Sequence, residues 1–126
     1  MADLLEAGQQ WLAEQLKEHA SRRVTYHRGA EAVTVQATIG RTLLKLDDGY
    51  GGVRMEWTDR DFLIQAADLV LGDAAVTPER GDRITETVGF NTSVFEVMAY
   101  GGDPPWRYSD PFGKLLRIHT KFIGIN

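Results

Sequence analysis

The chain contains no cysteine, which excludes disulfide staples, thiolate nucleophiles, thiolate-held zinc and iron–sulfur clusters. Stability must therefore come from burial. At 126 residues and 14.1 kDa a single domain buries roughly two-thirds of its unfolded surface, enough to fold without staples. Long apolar runs are also missing. Asp68 and Asp73 interrupt the most apolar region, well short of the ~20 residues that span a bilayer. Asp3 and Glu6 stand where a secretory leader would be basic, so no leader is read there and the cytoplasm is the expected compartment. Positive charge is in deficit, with 14 basic against 18 acidic residues and a net charge of −4. Phosphate neutralisation needs a basic face, so no sequence-specific nucleic-acid partner is expected, and no membrane.

Recognisable catalytic patterns are equally scarce. His19, His27 and His119 offer no i,i+4 pair of the kind a zinc-binding helix needs. Asp59 and Asp61, with Glu56 nearby, flank a turn and read as hairpin polarity rather than as an acid–base pair. Asp47-Asp48-Gly49 lacks the ligand spacing of a calcium loop. The glycines at 49, 51 and 52 are followed by no Lys-Ser/Thr, which a phosphate cradle requires. No Gly-x-Ser-x-Gly elbow occurs. The expectation is a non-enzymatic protein without metal or cofactor.

What is present is globular composition, 43% hydrophobic and 25% charged, and a change of hydrophobic period. Residues 3–20 read as a helix: Asp3 caps it, Glu6 completes an approximate capping box, and Leu5, Leu12 and Leu16 share a face. From Arg22 the period is two. Expected strands cover residues 24–27, 33–39 with an extension over 43–46, 53–57, 62–66, 83–88, 94–100 and 114–123. Val53, Met55 and Trp57 read as the inner face of a half-buried strand that pairs with 62–66 as a hairpin. Residues 47–52 read as a mobile glycine-rich loop, and residues 101–111 as a long loop carrying Trp106. The predicted architecture is one domain, mainly β: a helix over 1–21, then a small antiparallel barrel or sandwich over 22–126.

The run Phe62-Leu63-Ile64-Gln65-Ala66-Ala67-Asp68-Leu69, then Pro78-Glu79-Arg80-Gly81-Asp82-Arg83-Ile84, then Phe95-Glu96-Val97, resembles the small head–tail joining (neck, head-closure) proteins of tailed bacteriophages and prophages. In that pattern proline fixes φ, glycine permits the tight turn, and the aspartate bonds backbone N–H groups. The resemblance covers roughly residues 53–123 and departs at Pro104-Pro105-Trp106 and in the full last strand. It implies a structural protein of the virion, without catalytic residues or cofactor. Such a protein is monomeric when dilute, forms a ring when assembled, and meets the portal or adaptor and the tail proteins.

Candidate assembly residues are Asp47, Asp48 and Tyr50 in the glycine-rich loop, and Trp106, Arg107 and Tyr108, whose composition is that of an interface hot spot. Arg117 and Lys121 complete the set. They belong to a basic stretch, 101–126, that follows an acidic one, 61–100, with seven acidic and two basic residues. Two other classes stay open: a ligand-binding barrel stacking carbohydrate or single-stranded nucleic acid on Tyr50, Trp57 and Trp106, and a small enzyme whose carboxylates converge only in the fold.

Overall fold

Alternation of period two decides the architecture. The computed structural model describes residues 21–47 and 49–126; the predicted helix over 3–20 lies outside the described residues. Within them the strands are β1 (Ser21–Arg28), β2 (Glu31–Gly40), β3 (Leu43–Asp47), β4 (Val53–Trp57), β5 (Arg60–Gln65), β6 (Val70–Leu71), β7 (Ala74–Ala75), β8 (Arg83–Val88), β9 (Asn91–Val97), β10 (Trp106–Tyr108) and β11 (Leu115–Ile125). A single 3-10 turn, Ala66–Asp68, is the one helical piece among them.

Six strands close an antiparallel barrel in the order β11-β5-β2-β1-β8-β9, with β9 returning to β11. Each sends alternate side chains inward: Val24 and Tyr26, Val35 and Ala37, Phe62 and Ile64, Ile84, Phe95 and Val97, Leu116 and Ile118, capped by Leu69 and Leu71. Burial of each large side chain contributes on the order of 1.5–3 kcal/mol. Closure also removes the free edges that would otherwise pair with another chain. The edge of β11 is divided: Leu116–Ile118 pair with β10, and Thr120–Ile125 pair with β9.

Three sequence expectations are corrected. Residues 43–46 do not extend β2; the chain breaks at Arg41-Thr42 and β3 pairs with β4, Leu43 opposite Trp57 and Lys45 opposite Met55. The predicted hairpin between 53–57 and 62–66 therefore does not form, because β5 pairs with β2 and β11 instead. Hairpin proximity favoured the neighbouring run, yet β5 is apolar on its inward face and gains more inside the barrel. Finally, Trp106 and Tyr108 sit on a short strand, not in an irregular loop.

Candidate assembly surface

The β3–β4 ribbon is an arm that leaves the barrel between β2 and β5 and packs against Tyr100 and Gly101. Leu44 and Leu46 point inward and form a second buried cluster with Tyr100. The opposite face carries Leu43, Val53, Met55 and Trp57, with the last three 56%, 57% and 51% exposed. The sequence reading of Val53, Met55 and Trp57 as half-buried is thus corrected: alternation is correct, but the apolar face is the wet one. A two-stranded ribbon is marginal alone, so the inner face must hold it. The Arg41 guanidinium lies 5.3 Å from the Trp57 ring and screens part of it.

A polar seam fastens the base of the arm to the barrel wall. Asp61 on β5 is fully buried. Its carboxylate accepts from His119 Nδ1 at 2.9 Å, from Arg117 Nη1 at 3.0 Å and from the Thr42 hydroxyl. Burial alone would raise the Asp61 pKa, but hydrogen bonds from His119 and Thr42 and the charge of His119 outweigh it and bring it to about 2. Across the same seam Thr58 N–H donates to the Thr42 carbonyl and Thr42 N–H to the Thr58 hydroxyl, both at 2.9 Å. Tyr100 completes the clamp: its hydroxyl donates to the Thr120 carbonyl at 2.6 Å and accepts from Asp59 N–H at 3.2 Å. Burial raises the pKa of that phenol.

The seam ties the base of the arm, at Thr42, to β5 and β11. A histidine–carboxylate pair is part of a nucleophile-activating relay, but Asp61 and His119 are both closed off from solvent, and the Thr42 hydroxyl donates to Asp61. The described residues contain no cluster of three or more potential metal ligands.

At the other end of the barrel, the Pro78–Asp82 turn is tied to β1. Asp82 accepts from Glu79 N–H at 2.9 Å, as the turn chemistry predicts. It also accepts from Arg28 Nη2 at 2.8 Å and from the Tyr26 hydroxyl inside the barrel. Gly81 has φ +89°, a backbone conformation that side chains strain to adopt. Burial raises the Tyr26 pKa, with the Asp82 carboxylate adding to it. Asp82 is held below the ordinary carboxylate range: burial opposes this, and the bonds from Arg28 and Tyr26 prevail.

The predicted site residues are spread over three places. Asp47 ends β3, Tyr50 is exposed at the arm's tip, and Asp48 lies outside the described residues. Trp106 packs partly against the barrel core and meets Tyr108 edge-on at 5.1 Å, while Tyr108 is half-exposed. Arg107 stands opposite Arg117 in the β10–β11 register. Lys121 is exposed opposite Glu96. Arg117, a candidate assembly residue in the sequence, spends its charge on buried Asp61.

Leu43, Val53, Met55 and Trp57 were missed as surface residues because period two does not say which face is wet. Their one legible signal is the glycine-rich turn between two apolar runs, which also suits a β3–β4 hairpin. Phe90, fully exposed in the β8–β9 turn, was missed as well; an aromatic in a turn is the clue.

Among the described residues, hollows of about 400 and 430 Å³ are lined by Arg23, Thr34 and Gln36, and by Arg28, Val76 and Tyr108, with others. Neither includes Tyr50, Trp57 or Trp106. No helix among the described residues is long and apolar enough to cross a membrane. No curated protein matches the chain. The family model described as phage head-tail joining protein matches residues 2–126, a span that takes in the Asp82-tied turn and β9, where the resemblance in the sequence was carried. The chain belongs to the phage head-tail joining protein family.

Proposed function

We propose that this protein is a non-enzymatic component of a phage or prophage virion that joins head to tail as a ring of copies, each copy contacting the next through the outer face of the β3–β4 arm. The supporting observation is the arm itself: one face is pinned to the barrel by Leu44, Leu46, Tyr100 and the Asp61 seam, and the other presents Val53, Met55 and Trp57 bare. A contiguous apolar face left in solvent is the form of an interaction surface. Tyr50 at the tip, Asp47 and Asp48 of the same sequence run, and Trp106, Arg107, Tyr108 and Lys121 of β10 and β11 are the remaining contact residues in this reading. Portal or adaptor and tail proteins are its partners, the host cytoplasm is where it assembles, and the free protein is monomeric when dilute.

Trp57→Ser with Met55→Ser is the direct test. Sedimentation of the wild type should show association rising with concentration, and the double variant should remain monomeric with an unchanged melting temperature, since both side chains are half-exposed. A phage carrying the variant should accumulate filled heads and free tails. Normal joining by the variant would remove the arm from the reading, and normal joining after deletion of the whole gene would overturn the head–tail function.

A further inference from the structure

A ring asks for more of each copy than one apolar face. Contact between identical patches is two-fold and closes as a dimer, whereas a ring forms when one surface of a copy meets a different surface of the next. The arm supplies one surface. The described residues hold a second bare apolar patch, formed by Val88 and Phe90 at the β8–β9 turn and by Ile123 and Ile125 at the end of β11. The register brings the two parts together, with Ile125 opposite Ser93 and Asn126 N–H donating to the Thr92 carbonyl at 2.8 Å.

The turn is built to present its aromatic. Val88 pairs with Asn91, leaving Gly89 and Phe90 as a two-residue loop. Gly89, at φ +62°, takes the first position, as a type II′ turn requires. Phe90 then stands at the second position with its ring fully in solvent, where turns ordinarily place small polar residues. Residues 87–95 and 122–126 contain no ionisable side chain at all. On the arm, Lys45 is the one charge among residues 43, 45, 53, 55 and 57, and Asp47 follows in the same alternation, opposite Val53 in the register. Depletion of charge with aromatic anchors marks the centre of a protein interface.

We infer that the β8–β9 turn and the end of β11 in one copy are the seat for the arm of the next, so that Phe90 and Ile125 meet Met55 and Trp57 of a second copy of this chain. The inference rests on the ring reading above and names its other half. Pairing the arm with the seat covers both patches on every copy, and the contact repeats around the ring. Arm against arm would bury the arm and leave Phe90 wet.

Because the chain has no cysteine, single thiols report the contact without background. Met55→Cys and Phe90→Cys change exposed side chains and leave the fold intact. Concentrated full-length samples of each variant, and an equal mixture, are oxidised mildly and their cross-linked products identified by mass spectrometry. The expected result is a mixed product, one Met55→Cys chain joined to one Phe90→Cys chain, exceeding either self-product by roughly tenfold or more, because a preferred contact raises the local concentration of the two thiols. A chain carrying both substitutions should give a ladder of higher oligomers. Its yield should change little between low and high salt, since residues 87–95 and 122–126 bring no ionisable side chain to the contact.

A dominant product joining two Met55→Cys chains, a dominant product joining two Phe90→Cys chains, or no excess of the mixed one would overturn the inference. Sedimentation separates this from failure of the ring reading. If the wild type associates, Trp57→Ser abolishes association and Phe90→Ser does not, the arm stands and the seat falls. If the wild type never associates, the ring itself is wrong.

Discussion

At the scale of single residues, the same charge means different things according to what it faces. Arg117 and Lys121 are both basic residues on β11, four apart. Arg117 lies against Asp61, which is fully buried, and Lys121 stands in solvent. Arg117→Glu should therefore cost about 3–5 kcal/mol, the loss expected when a buried pair is broken. Lys121→Glu should stay within about 0.5 kcal/mol of wild type. Urea titration distinguishes them, and an Arg117→Glu protein as stable as wild type would mean the seam contributes nothing.

Acid should act on the same seam. Asp61 titrates at about 2 in the folded chain against 3.8 ordinarily, and Asp82 is lowered too. A depressed carboxylate stabilises the fold above its unfolded pKa, and that stability is lost as pH falls through the folded one. Stability should be level from neutral pH to about 5 and fall between about pH 4 and 2, with Asp61 contributing about 2 kcal/mol of the loss. In Asp61→Asn the acid-induced loss should be smaller by that amount.

At the scale of elements, the arm and the barrel should differ in stability. The barrel is a closed ladder around a continuous core, and the arm is a ribbon held by two leucines, one tyrosine and the seam. Local opening follows such differences. Leu46→Ser should raise amide exchange across β3 and β4 while β1, β2 and β5 keep wild-type protection. Equal loss of protection everywhere would show that arm and barrel open as one unit.

At the scale of the whole molecule, the tertiary structure redistributes the charge. The sequence sets an acidic 61–100 against a basic 101–126, suggesting charge-driven contact between copies. In the fold, Asp61, Asp82 and Glu86 are buried and paired within the chain, Glu86 with Arg22 and Arg60. Arg117 is withdrawn from the basic set by the same pairing. Among what remains bare are two apolar patches, on the arm and at the β8–β9 turn, and these are the proposed contacts. Association should accordingly change little between about 0.05 and 0.5 M salt, although the screening length shrinks several-fold over that range. Sedimentation equilibrium at the two salts measures it, and a steep fall with salt would restore charge as the driving term.

The sequence alone determined that this chain is mainly β and without thiol chemistry, where its strands alternate, and that Pro78–Asp82 forms a tight turn. Those properties are local: φ, ψ and period two are written in neighbouring residues. It also carried the family, because turn chemistry and strand order are legible in series. The pairing of β3 with β4, the burial of Asp61 beside Arg117 and His119, and the exposure of Trp57 and Phe90 were decided by the tertiary structure. Alternation gives every strand two faces and no instruction about which is wet. That depends on which strand arrives alongside, and the residues that meet in the seam are 58 apart for Asp61 and His119.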